Sequence, residues 1–314
     1  MILALAGGVG GARLANGLAG ILRPGSLTVA VNVADDFTHL GLAICPDLDT
    51  VTNTLAGCNN RELGWGISGE SWAFMDELKA LGGPDWFNLG DRDLARHVLR
   101  GEWLRQGWSL SRVTAELALR LGINHAVVPM SDDPVRSMVL TDEGELPFQD
   151  YFVRRRCEPR FFSIRFAGAA EARISSGLAR ALADPALEAI VICPSNPVLS
   201  IGPFLAVPAI ADALRTRKAP CIAVSPFIGG EAVKGPAAKI MRELGEEPGA
   251  ACLARHYAGI VDTMLCDHGD PAAGQEMAGI AFLAADTLMR DDADQQRLAH
   301  EVLAAARSRR AATS

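Results

Sequence analysis

The chain has 314 residues, 49% of them apolar, with 30 Lys and Arg against 37 Asp and Glu and a formal net charge of -7. That is enough for the core of one large α/β domain, and the acidic balance argues against general nucleic-acid binding. No run of about 18 apolar residues offers a membrane span. The first residues lack a basic n-region, and seven cysteines without a CxxC pair read as reduced thiols, so a cytoplasmic protein is expected.

Residues 2–5 form an apolar strand that runs into Gly7-Gly8-Val9-Gly10-Gly11-Ala12-Arg13, followed by Leu14, Leu18, Ile21 and Leu22 at helical spacing. Glycines allow a tight turn and close approach of the backbone to a ligand. A helix N-terminus then offers N–H groups and partial positive charge to an anion. Gly7, Gly8, Gly10 and Gly11 are therefore candidate phosphate-binding residues, against the alternative of plain strand-to-helix packing. There is no Walker lysine, the GxGxxG pattern is not met, and Arg13 is the nearest cation.

The second strand, 27–33, ends at Ala34-Asp35-Asp36. Asp47 and Asp49 follow, just ahead of Thr50-Val51-Thr52-Asn53, where an aspartate can equally be a helix cap. Residues 58–122 read as helical and hold all five tryptophans, an insert expected to flank a cleft. Its aromatics serve core packing or the stacking of a flat ligand. Strand 126–129 ends at Ser131-Asp132-Asp133-Pro134, and 138–151 alternates as an antiparallel hairpin. Strand 189–193 ends at Pro194-Ser195-Asn196-Pro197, which puts Ser195 and Asn196 across the cleft from the glycine loop. Strands 221–224 and 260–266 end at Ser225-Pro226 and Asp267, and helices fit 203–215, 236–244 and 291–307.

This alternation predicts an α/β, Rossmann-like, doubly wound and mainly parallel sheet with a helical insert and an antiparallel hairpin. Segments 1–57 and 123–307 form the nucleotide-binding core, 58–122 the insert and 308–314 a frayed tail. Ligands of such sheets bind beyond the carboxyl ends of the strands. There the sequence gathers carboxylates: Asp35 and Asp36, Asp47 and Asp49, Asp91 and Asp93, Asp132 and Asp133. Beside a phosphate loop such groups suit Mg²⁺, which takes one or two carboxylates and shares phosphate oxygens. Asp36, Asp47 and Asp49 are the candidate catalytic and metal-binding set. No serine elbow and no zinc motif is present.

The succession GGVGGAR, VNVADDF, ICPDLDTVTNTLAG, GWGISGESWAFMDELKALG, WFNLGDRDLARHVLR, LGINHAVVPMSDDPV, ICPSNPVLSIGP, AVSPFIGGEAVKGPAAKIM and AADTLM resembles the 2-phospho-L-lactate transferase (CofD) family of coenzyme F-420 biosynthesis. The resemblance runs from residue 1 to about 290. It implies transfer of a phospholactyl, phosphoenolpyruvyl or phosphoglyceryl group from a guanosine-diphosphate-activated donor. The acceptor it implies is the ribityl primary alcohol of the deazaflavin Fo, with release of GMP and use of Mg²⁺. It also implies a homodimer, a deazaflavin contact for Asp49, and a basic residue ahead of LGDRD where this chain has Asn88. Arg92 stands near enough to compensate, or pairs with Asp91 or Asp93. Two other classes remain: a non-catalytic nucleotide-sugar-binding regulator resembling gluconeogenesis factors, and a Rossmann oxidoreductase.

Overall fold

Strand β1 (Ile2–Ala6) is buried along its whole length, as is β2 (Leu27–Val31), which pairs with it in parallel register from Ile2↔Leu27 to Ala6↔Val31. Continuous apolar runs of this kind belong to parallel strands covered on both faces. Between them lies α1 (Gly8–Ile21), and the structure, a computed structural model, describes residues 1–62, 64–232 and 235–313.

The chain continues through a hairpin, β3 (Phe37–His39) and β4 (Leu42–Ile44), into α2 (Pro46–Leu55), whose first position is a proline, as helix starts favour. Three helices follow, α3 (Ala73–Ala80), α4 (Asp91–Arg105) and α5 (Leu110–Arg120), then β5 (Ala126–Pro129). A three-stranded antiparallel sheet comes next, β6 (Arg136–Thr141), β7 (Gly144–Pro147) and β8 (Phe161–Ala167), with β6 in the middle. The remaining elements are α6 (Ser176–Ala183), β9 (Ala189–Ile192), α7 (Gly202–Ala206), α8 (Pro208–Arg215) and β10 (Cys221–Val224). They continue with β11 (Phe227–Ile228), β12 (Glu231–Ala232), α9 (Ala237–Glu243), α10 (Ala250–His256), β13 (Thr263–Asp267), β14 (Glu276–Met277), β15 (Ile280–Ala285) and α11 (Asp292–Thr313).

The main sheet has eight strands in the order β14-β15-β13-β10-β9-β1-β2-β5, all parallel except β14, which runs against β15. The order reverses at β1, with β2 on one side and β9 on the other, and such a switch point opens a crevice at the carboxyl edge. Helices α1 and α11 pack together on the sheet, where Leu14, Leu18, Leu298 and Val302 are fully buried.

Fold class and hairpin match the reading of the sequence. Several details differ or were not anticipated. The hairpin gains a third strand, β8, paired to β6 from Arg136↔Ala167 onward. The expected helix 203–215 is two helices, because Pro208 starts a new one and the apolar run bends there by 93°. The hairpin of β3 and β4 turns through Leu40 and Gly41, both at positive φ. The expected tail is helical as far as Thr313, as a continuation of α11. No single helix among the described residues is long and apolar enough to cross a membrane.

The tryptophans divide. Trp103 packs with Val113 and Leu117 in a satellite core between α4 and α5, and Trp108 stacks on it with ring centroids 5.2 Å apart. Trp72 joins a second satellite core around Ile44, Met75 and Leu89. Trp65 and Trp86 face the crevice.

Candidate functional site

A cavity of about 600 Å³ lies along the carboxyl edge. The ends of β1, β2, β9 and β10 reach it with Gly7, Asp35, Ser195 and Ser225, and the segment after β15 reaches it with Thr287–Met289. Of the residues anticipated from sequence, Gly7, Gly8, Gly10, Asp47, Asn88, Ser195 and Asn196 line it. Gly11, Asp36, Asp49 and Arg92 do not.

The glycine loop is held from behind. Gly7 N–H donates to Ser195 Oγ (3.2 Å), and that hydroxyl donates back to the Gly7 carbonyl (2.9 Å). A Cβ on Gly7 would stand 2.7 Å from both Asp47 Oδ2 and Ser200 Cβ, and one on Gly11 2.6 Å from Ser195 Oγ. A Cβ on Gly10 would collide with the Pro194 carbonyl oxygen. These three glycines therefore serve close packing of loop on loop. Gly8 differs: its φ is +65° and a Cβ there would meet nothing within 4 Å, so it is the glycine that leaves space on the cavity side.

Gly8 N–H, the first donor of α1, goes to Asp47 Oδ1 at 2.8 Å, while Asn32 Nδ2 donates to Asp47 Oδ2 at 3.0 Å. Asp35 is held by Ser137 Oγ, and Gln149 Nε2 takes its backbone carbonyl. Burial, and then the charge of Asp47, pushes the Asp35 carboxyl well above its ordinary range. Burial also raises Asp47, against its hydrogen bonds from Asn32 and Gly8. An anion at this helix start would thus meet two crowded carboxylates, a conflict that a bound cation would relieve. Asp35 and Asp47 are the two carboxylates that reach the cavity and could hold a cation there. Among the described residues no group of three or more His, Cys, Asp or Glu side chains is arranged to hold a metal ion, so Asp36, Asp47 and Asp49 do not form one cluster.

Asp36 and Asp49 form a second layer behind the cavity wall. Both oxygens of Asp49 accept from Arg100, which also donates to the Ala43 carbonyl and lies beside His97 Nδ1. Burial alone would raise Asp49, but the charges of Arg100 and His97 outweigh it and hold the carboxyl below its usual value. Asp36 has one oxygen without a partner, and burial pushes it to about 7.

The remaining acidic pairs are structural. Asp91, in LGDRD, accepts from the N–H groups of Ala73 and Phe74 at the start of α3. Glu70 in return accepts from Arg92 and Asp93 N–H at the start of α4, so the two helices cap each other. The Arg92 guanidinium donates to the Ser68 carbonyl rather than to Asp91 or Asp93. Asp132 binds Ser111 at the start of α5, and Asp133 is paired with Arg173, which holds it down to about 2.

Aromatic rings wall the cavity on the side of the insert and on the side of the antiparallel sheet. Trp86 and Phe87 stand beside Asn88, edge-on to each other at 5.7 Å and backed by Phe37 and His39. Phe148 and Phe152 stack at 5.2 Å on the far side. Reasoning from sequence did not single out Gln149, Phe148, Phe152 or Thr287, since nothing local marks them. Asp35 is legible as a strand-end carboxylate, but nothing local separates it from Asp36, the neighbour named above as the candidate.

The fold is thus a doubly wound α/β sheet with a glycine-rich turn and two carboxylates at its switch point. The chain belongs to the 2-phospho-L-lactate transferase CofD family, whose pattern matches residues 2–306; it is a transferase of the F-420 biosynthetic type. It is 42% identical over 314 residues to a phosphoenolpyruvate transferase of Kitasatospora aureofaciens, covering 97% of each chain. It is 39% identical to one of Mycolicibacterium smegmatis, covering 92% of this chain and 94% of that protein. A crystal structure of a UPF0052-family protein from Bacillus halodurans shares the fold, with a TM-score of 0.61 at 16% identity over 96% of this chain and 98% of that one.

Proposed function

We propose that this protein transfers a phosphoenolpyruvyl group from a guanosine-diphosphate-activated donor to the ribityl primary alcohol of the deazaflavin Fo. The alcohol oxygen attacks the phosphorus that carries the enolpyruvyl group, the bond from that phosphorus to the bridging oxygen breaks, GMP leaves with that oxygen, and the alcohol proton passes to solvent. The observation that carries this reading is that one cavity joins a glycine-rich turn and two carboxylates to walls of aromatic rings. The choice of three-carbon acid is supported by the names of the relatives, at 38–42% identity.

Such a transfer needs in-line positioning and charge neutralisation rather than a covalent nucleophile. Mg²⁺ held by Asp35 and Asp47 would supply neutralisation of the phosphate charge. The chain's own groups do the rest. Gly8 leaves room for a phosphate, and Asn196 has a buried amide nitrogen without a partner to donate to an oxygen of the donor. Trp86, Phe87, Phe148 and Phe152 enclose a flat tricyclic ring and exclude water from it.

The test is incubation with Fo, Mg²⁺ and a mixture of guanylylated enolpyruvate, lactate and glycerate phosphates, with products read by mass spectrometry. The enolpyruvyl phosphodiester and an equal amount of GMP are expected. Failure to bind Fo in a fluorescence titration, with no GMP formed from any donor, would overturn the reading.

A further inference from the structure

We infer that Lys239 and Glu243 of α9 are positioning residues for the acceptor: from behind the cavity they hold the segment that carries its Phe148–Phe152 wall. This rests on the transferase reading above.

That wall belongs to the connection from β7 to β8. Phe148, Gln149, Phe152 and Val153 line the cavity, while Tyr151 between them does not line it and is fully buried. Asp150–Arg154 winds as a single π-helical turn, a rare form that recurs at functional sites. Just after it, Arg156 and Cys157 stand at φ of +52° and +58°. Neither is a glycine, so both carry strain that persists only while the surroundings enforce it. Inside the segment, Arg155 N–H donates to the Asp150 carbonyl at 2.8 Å and Cys157 N–H to the Tyr151 carbonyl at 2.9 Å. These bonds tie the segment to itself.

From outside the antiparallel sheet, α9 grips it where it leaves for β8. Lys239 Nζ donates to the Pro159 carbonyl at 3.1 Å and to Glu243 Oε2 at 2.7 Å, and the same carboxylate oxygen accepts Phe161 N–H at 3.0 Å. The ammonium also stands 5.9 Å from the centre of the Tyr151 ring, within reach of its π face, and that ring packs on Phe161 at 6.2 Å. One ion pair thus holds the backbone at two points and the buried aromatic that underlies the wall.

Neither Lys239 nor Glu243 lines the cavity, so both act through the segment. The amino end of the same helix does line it, with Pro236 and Ala237. The grip therefore sets how far the Phe148–Phe152 wall stands from the wall that α9 begins. A flat ring depends on that width. A gap of about 0.5–1 Å forfeits roughly a quarter to a half of a dispersion contact.

The test compares the wild type with Lys239→Met, which removes the ammonium and keeps most of the chain length, and Lys239→Arg, which keeps a charged donor. Fo affinity is read by fluorescence titration and GDP affinity, with Mg²⁺, by calorimetry. GMP formation gives kcat and the KM for Fo, and thermal unfolding by circular dichroism checks the fold. Lys239→Met is expected to weaken Fo by about three- to tenfold, because a smaller fraction of the protein holds the wall in place. The loss should appear in KM for Fo rather than in kcat, with GDP affinity kept, and Lys239→Arg should recover most of it. If Lys239→Met does not fold, Glu243→Gln takes its place with the same expectation, since its amide oxygen still accepts from Phe161 N–H but offers Lys239 no charge. Wild-type Fo affinity in the folded variant overturns the positioning role, as does Lys239→Arg binding Fo no better than Lys239→Met. An equal loss for GDP and Fo with a lowered midpoint makes the pair merely structural and also overturns it. A wild type that binds no Fo brings down the transferase reading itself.

Discussion

Replacing Arg100 by methionine should unfasten the insert from the core without touching the cavity. Arg100 is 2% exposed and Asp49 9%, and the guanidinium spans both carboxylate oxygens of Asp49 and the Ala43 carbonyl. It thereby joins α4 to the start of α2 and to β4. Methionine keeps most of the length and removes the charge, which leaves Asp49 buried near Asp36 with His97 as its remaining close partner. Breaking a buried pair by removing one member costs about 3–5 kcal/mol. That is a large part of a typical stability of about 5–15 kcal/mol. At roughly 2–4 °C per kcal/mol for a chain of this order of size, the midpoint should fall by about 10 °C. Thermal unfolding followed by circular dichroism measures it, and Asp49→Asn should give a loss of similar size. The double variant should be less destabilised than the sum of the two single ones, since both remove one interaction. A midpoint within about 1 °C of the wild type would refute the reasoning. So would a loss of Fo affinity in Asp49→Asn with stability intact, because Asp49 would then act on the ligand directly, as the family resemblance implies, and not through Arg100.

Asp47→Asn should lower Mg²⁺-dependent turnover by about 10–100-fold and raise the Mg²⁺ concentration for half-maximal rate, whereas Asp132→Asn, at a helix start, should leave both unchanged; a magnesium titration of the two variants separates them. Asn88→Arg places a cation beside Trp86 and Phe87 and should tighten Fo or the donor by a few-fold, read as apparent affinities, with no change in either showing that position 88 is idle. For Asp36 the folded carboxyl lies at about 7 against an ordinary 3.8, so the native state holds more protons than the unfolded one between those values. Stability from this group falls as pH rises through that window, by on the order of 4 kcal/mol, and is level above it. Urea unfolding at pH 4.5 and 7.5 without divalent cations should show Asp36→Asn more stabilising at the higher pH, and parallel curves for the two proteins would count against it.

Local sequence was sufficient for the frame. An apolar run of five residues entering glycines can only be a buried strand and a tight turn, and the repetition of strand, polar end and helix fixes a parallel sheet and the edge where ligands bind. Those features depend on neighbours within a few residues. The fate of each carboxylate does not. Asp47 and Asp49 stand two apart on the same helical turn, yet one lines the cavity and holds the N-terminus of α1, and the other is sealed against an arginine fifty-one positions away. Asp91 and Glu70 exchange caps across a turn, and Asp133 is spent on Arg173. Burial and pairing of a charge are set by side chains that folding brings from distant segments, and the free energy of a buried ion depends almost wholly on those partners. For that reason the sequence located the site, and the tertiary structure decided which of its acidic residues line the cavity.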